Sequence, residues 1–171
     1  TPPVESGIEI ELFEPGSPAV LSPVIEGPCH VLPCIFETYC QSAPNSYSGG
    51  AQIWAFGSSS IANNDLALLT TTAVPGQFGI YYYGTEKTEI PFGDGFRCVA
   101  GQIWRVNPPL LANLLGDVTL AVDYDQQPFH AGPGAIDAGD SFTWQLWYRD
   151  PTGPLGSGFN LSNALRITFC P

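Results

Sequence analysis

Positive charge is scarce in this sequence: five Lys and Arg stand against sixteen Asp and Glu in 171 residues, for a formal net charge of −11. Only Lys87 among the cations is a lysine. A nucleic-acid partner is thereby excluded, because phosphate neutralisation needs clustered Lys and Arg. Methionine is absent and histidine is limited to His30 and His130. No C-x2-C pair accompanies them, so a zinc site lacks its ligands. No apolar run approaches the ~18 residues of a membrane-spanning helix, and no transmembrane segment is expected. The opening Thr1-Pro2-Pro3 is no signal peptide and reads as a processed or trimmed N-terminus. Catalytic signatures are missing as well. There is no nucleophile elbow, phosphate-binding loop, HExxH pair or dinucleotide fingerprint, so no catalytic residue is assigned and the chain is expected not to be an enzyme.

What is present is unevenly distributed. Glu5, Glu9, Glu11, Glu14, Glu26 and Glu37 fall in residues 1–38, which hold no Lys or Arg. The expected organisation is therefore an acidic N-terminal arm, 1–38, and a more balanced body, 39–171. Within the arm, Ile8-Glu9-Ile10-Glu11-Leu12 alternates strictly, which puts Ile8, Ile10 and Leu12 on one face of a strand. Those three residues are the candidate interaction face of the arm.

The body reads as all-β. Candidate strands at 51–56, 66–72, 78–83, 96–99, 102–106, 118–124, 142–148 and 164–169 are rich in β-branched and aromatic residues. Turn formers such as Val74-Pro75-Gly76 and Asn107-Pro108-Pro109 separate them. Short strands at this spacing predict an antiparallel β-sandwich of jelly-roll or Ig-like type. One short helix is conceivable at 109–115, and the glycine-rich 131–140 reads as a loop. A weak internal echo runs from Gln52-Ile53-Trp54 to Gln102-Ile103-Trp104, and from Phe78–Tyr83 to Phe142–Tyr148.

Five cysteines, Cys29, Cys34, Cys40, Cys98 and Cys170, are the disulfide candidates. Cys29 and Cys34 form the simplest local pair, and any two of the other three would tie distant strands together, leaving one thiol over. Oxidised cysteines point to export, at the cell surface or outside the cell.

Weaker signals concern ligands. No resident cofactor is expected; the loops around Asp94 and at 131–140 offer oxygen to a structural calcium but lack EF-hand spacing. Asp123 and Asp125, two apart, would share a strand face, and a solvated strand end is the simpler reading. Trp147 falls on the strand face opposite Trp144 and beside Arg149, so Trp147 and Arg149 are the candidate sugar-stacking residues. Arg97 and Arg149 are expected to pair with Asp94 or Asp150, or to stack on a ring.

Several blocks resemble a known module. Pro91-Phe92-Gly93-Asp94-Gly95-Phe96-Arg97-Cys98-Val99, Phe142 to Pro151 and Gly158-Phe159-Asn160-Leu161-Ser162 are the most distinctive. The module is β-rich and is found near the C-termini of secreted proteins from planctomycetes and other environmental bacteria. The resemblance spans about residues 39–171 and implies an exported bacterial protein. It implies no biochemical activity. The arm lies outside it.

Two functions fit these features. In the first, the chain is a structural subunit of an extracellular fibre or surface layer. Other copies of itself would then be its partners, each arm adding a strand to a neighbour. In the second, it is a monomeric adhesion or carbohydrate-binding module.

Overall fold

The computed structural model describes residues 34–171. The arm residues Ile8, Ile10 and Leu12, together with Cys29 and His30, lie outside the described residues. The described residues form ten strands: β1 (Ile35–Tyr39), β2 (Gln52–Phe56), β3 (Ala67–Thr71), β4 (Phe78–Phe92), β5 (Gly95–Arg105), β6 (Leu110–Leu111), β7 (Val118–Ala121), β8 (Ser141–Asp150), β9 (Gly158–Leu161) and β10 (Ala164–Thr168). The larger sheet runs β1-β10-β8-β4-β5, with β6 beside β4 and β9 beside β8; the smaller is β2-β3-β7. All named strand pairs are antiparallel.

The two sheets share one core. Alternation along β8 sends Phe142, Trp144, Leu146 and Tyr148 inward, where they meet Tyr81 and Tyr83 of β4 and Ile53, Leu68 and Val118 of the smaller sheet. Trp144 stacks on Tyr83 with centroids 4.5 Å apart. The buried Tyr81 hydroxyl bridges the layers, 2.8 Å from both the Thr70 hydroxyl and the Val118 carbonyl. This is the expected antiparallel sandwich.

Several local expectations change. The sheet already includes Ile35–Tyr39, which pairs with β10 from Ile35↔Thr168 to Tyr39↔Ala164. The strand assembly thus begins upstream of the arm–body boundary drawn from charge. Strand β4 continues past Tyr83 to Phe92, and the segments at 96–99 and 102–106 are one strand, β5. The strand pattern faded there because this long hairpin is a two-stranded ribbon broken by register shifts at Gly84/Glu86 and Lys87/Ile90. Such bulges bend a ribbon and erase simple alternation. Gly101 permits one of them: its φ is +74°, and a Cβ there would lie 2.1 Å from the Thr85 hydroxyl oxygen. The segment 109–115 is not helical; it contains β6 and a turn. The echo does not mark equivalent strands throughout, since β2 belongs to the smaller sheet and β5 to the larger.

The disulfides also differ from the simplest expectation. Cys34 bonds to Cys170 rather than to Cys29, and Cys40 bonds to Cys98. Antiparallel pairing of β1 with β10 brings the beginning of one beside the end of the other, which overrides proximity in sequence. The first bridge ties the start of β1 to the end of the chain. The second ties the end of β1 to the β4–β5 hairpin. Disulfides of this kind persist in oxidising compartments. Among the described residues, no helix is long and apolar enough to cross a membrane.

Candidate functional site: an aromatic and arginine-lined groove

The site lies on the outer face of the larger sheet. Since β8 turns Trp144 and Leu146 inward, it must turn Gln145, Trp147 and Arg149 outward. Cross-strand register then assembles a surface: Ile80 and Leu161 flank Trp147, Tyr82 lies between Gln145 and Arg105, Ile103 opposes Gly84, and Phe159 opposes Arg149. Trp147 and Phe159 pack with ring centroids 5.6 Å apart.

The bent β4–β5 hairpin folds back over this face. Gln145, fully buried, holds it there. The Gln145 amide nitrogen donates to the carbonyls of Phe96 (2.8 Å) and Ser162 (2.6 Å), while its oxygen accepts from the Cys98 amide (3.0 Å) and the Tyr82 hydroxyl. Burial pushes the Tyr82 phenol well above its ordinary range, with the Arg97 charge acting in the opposite sense, so its proton stays available to Gln145. Tyr39 adds a hydroxyl bond to the Cys98 carbonyl.

The hairpin tip is fastened separately. Gly93, at φ +63°, passes so close to Phe159 that a Cβ would meet its ring at 2.2 Å. The Asp94 amide donates to the Phe159 carbonyl at 3.2 Å. The Asp94 carboxylate accepts the amides of Ser157 (2.9 Å) and Leu155 (3.2 Å). Burial works against its charged form, yet hydrogen bonds from Ser157, Leu155 and Gly156 prevail and hold its pKa below the ordinary value. The folded-state pKa is therefore below the unfolded one, and the stabilisation is present above about pH 4 and lost as pH falls through the folded value. We expect the thermal midpoint to drop more steeply below about pH 4 in the native protein than in Asp94→Asn, by calorimetry at stepped pH. Parallel profiles would remove Asp94 from this role.

Between hairpin and sheet lies a cavity of about 560 Å³, lined by Ile80, Tyr82, Phe92, Arg97, Ile103, Arg105, Asn107, Trp147, Phe159 and Leu161. A second hollow of about 390 Å³ adjoins it at Ile80 and Trp147 and reaches Arg149, Phe78 and Pro109. Three of the five cations thus border a groove made of these two adjoining hollows, Arg97 and Arg105 at the first and Arg149 at the second. None forms an ion pair with a carboxylate among the described residues, where the only salt bridge is Lys87–Glu37 at 2.6 Å. The expected pairing of Arg97 and Arg149 with Asp94 or Asp150 is absent among the described residues, because Asp94 is committed to loop amides and Asp150 to Ser46. Stacking does occur: the Arg97 guanidinium sits 5.9 Å from the Phe92 ring centroid. Its buried Nε has no hydrogen-bond partner among the described residues.

The sequence-derived candidates thus separate. Trp147 is half-buried and forms the groove floor, and Arg149 is exposed at its side. Arg105, Phe92, Phe159 and Ile103 escaped notice because strands distant in sequence bring them together. Trp54 lies half-exposed on the smaller sheet, away from the groove. Asp123 and Asp125 both accept from the Asn64 amide, at 3.0 and 3.3 Å, beyond the end of β7. Asn160-Leu161-Ser162 has the Asn-x-Ser form of a glycosylation sequon, but Asn160 is fully buried and donates to the Pro44 carbonyl at 2.9 Å. Among the described residues, no group of three or more His, Cys, Asp or Glu side chains is placed to hold a metal ion.

No protein-family description matches the chain, and neither the curated proteins nor the solved structures compared with it give a match.

Proposed function

We propose that this chain is a non-catalytic, extracellular adhesion module whose outer groove holds an extended saccharide bearing carboxylate or sulfate groups. The observation that carries this reading is the convergence of Arg97, Arg105 and Arg149, unpaired with carboxylates among the described residues, around an aromatic floor. Arg166, the arginine outside the groove, also lacks a carboxylate partner among the described residues but donates to the Thr85 carbonyl and the Thr143 hydroxyl. A floor of Trp147 and Phe159 offers the apolar faces on which sugar rings stack, and the guanidinium forks suit planar carboxylates. The disulfides and the resemblance to secreted bacterial modules both support an extracellular setting.

Titration calorimetry of the full chain with a soluble polyuronate tests it. We expect measurable binding that weakens with salt and falls about 30-fold in Trp147→Ala, the effect of losing a central aromatic anchor. Trp54→Ala, on the smaller sheet, should bind as the native chain does. Equal affinity of Trp147→Ala and the native protein would overturn the assignment.

A fibre or surface-layer role is favoured by a different observation. β1, which follows the arm in sequence, occupies the edge of the larger sheet among the described residues. Edge strands are where chains add to one another. On this reading, concentrated protein forms polymers that light scattering detects and that disappear when residues 1–18 are deleted. A full-length chain that stays monomeric at high concentration would exclude it.

A further inference from the structure

We infer that the groove has a built-in occupant: the acidic, alternating segment Ile8–Phe13 of the same chain, which competes there with any outside ligand. This goes beyond the saccharide reading and does not depend on it. The segment lies outside the described residues, and its chemistry is taken from the sequence alone.

Charge complementarity comes first. Residues 5–14 carry Glu5, Glu9, Glu11 and Glu14 and no base, in a chain where three of the five arginine and lysine residues border the groove. Those arginines are not matched by carboxylates among the described residues. Carboxylates of the arm are the nearest supply in the covalent sense, being part of the same molecule.

Shape and polarity agree. Ile8, Ile10 and Leu12 repeat every second residue, the spacing at which an extended segment presents one apolar face. The groove offers apolar surface from Ile80, Trp147, Phe159, Ile103 and Phe92. Phe92 and Ile103 are 42% and 41% exposed, which is apolar area still open to cover. Glutamates flanking such an apolar face would meet the arginines at the groove's margins.

Reach permits it within one molecule. The roughly twenty residues between Phe13 and Ile35 extend to at most about 70 Å. A body of this size has a radius of gyration of about 14 Å. β1 lies two strands from β8, or about 10 Å across the sheet at the usual strand spacing. A tether of that length gives an effective concentration near the millimolar range, so even weak contacts are occupied. This is why the chain's own arm is favoured over the arm of a second copy.

Site-specific photo-crosslinking in the full chain, without any glycan, tests the inference. A benzophenone-bearing amino acid replaces Ile10, and the crosslinked peptides are mapped by mass spectrometry. We expect adducts on peptides containing Phe92, Trp147 or Phe159, formed within one chain, with yield falling about fivefold or more in Glu9→Lys/Glu11→Lys, where two attractive charges become repulsive. Adducts on the smaller sheet around Trp54, or a yield indifferent to charge reversal, would overturn the docking. Adducts found solely between two chains would overturn the intramolecular form and assign the groove to a neighbour's arm. The saccharide reading is decided independently, because the Trp147→Ala titration can be repeated on a chain carrying Glu9→Lys/Glu11→Lys.

Discussion

Replacing Gln145 by leucine, close to it in size, should destabilise the protein by about 3–5 kcal/mol, because three buried polar groups and one part-buried carbonyl lose their partner together. Those groups are the Phe96 and Ser162 carbonyls, the Cys98 amide and the Tyr82 hydroxyl. Gln145 is fully buried, so water cannot stand in without opening the hairpin. For a chain of this length the change corresponds to a fall of roughly 10 °C in thermal midpoint. The consequence for function is larger than for an ordinary core substitution. Gln145 holds the hairpin that carries Phe92 and Arg97, so its loss unroofs the groove while leaving the inner core intact. Urea denaturation gives the stability, and near-ultraviolet circular dichroism reports the Trp147 environment. A Gln145→Leu variant within about 1 kcal/mol of the native protein would show that the hairpin is held by other means.

Removal of the disulfides should have the next largest effect, with different consequences for the two. The Cys34–Cys170 bridge closes a separation of 136 residues and Cys40–Cys98 one of 58. In the loop-entropy treatment these correspond to about 5 and about 4 kcal/mol. Cys34→Ser/Cys170→Ser unties an edge strand from the chain end, although β1 still pairs with β10 over five residues. Cys40→Ser/Cys98→Ser unties the hairpin from β1, so the smaller loss of stability should bring the larger loss of groove order. Equilibrium unfolding of the two double variants, paired with saccharide binding, separates these effects. If the Cys34/Cys170 variant lost binding and the Cys40/Cys98 variant kept it, the hairpin would not be the element that shapes the site.

The same two clusters show how far sequence reasoning reaches. Alternation along Phe142–Tyr148 correctly placed Trp147 and Arg149 on the face opposite Trp144, since side-chain direction in a strand is a local property. Turn residues likewise located most strands, including β2, β3 and β8. Gln145 looked like one more polar residue on an outward face, because its role depends on a hairpin folded over it from far upstream in the chain. Arg97 beside Asp94 suggested an ion pair, but the carboxylate was drawn to the amides of Leu155 and Ser157 on a loop distant in sequence. Neighbours in the chain are poor guides to partners when a bulged ribbon bends back on its own sheet.

By itself, then, the sequence determined the all-β class, the concentration of acidic residues toward the N-terminus and the oxidised character of the cysteines. These follow from composition and from periodicity over a few residues. Which cysteines join, which arginines go without carboxylate partners among the described residues, and that three of them border one aromatic groove were decided only by tertiary structure. Each depends on register between strands remote in the chain, where closing a long loop brings together groups that no local pattern relates.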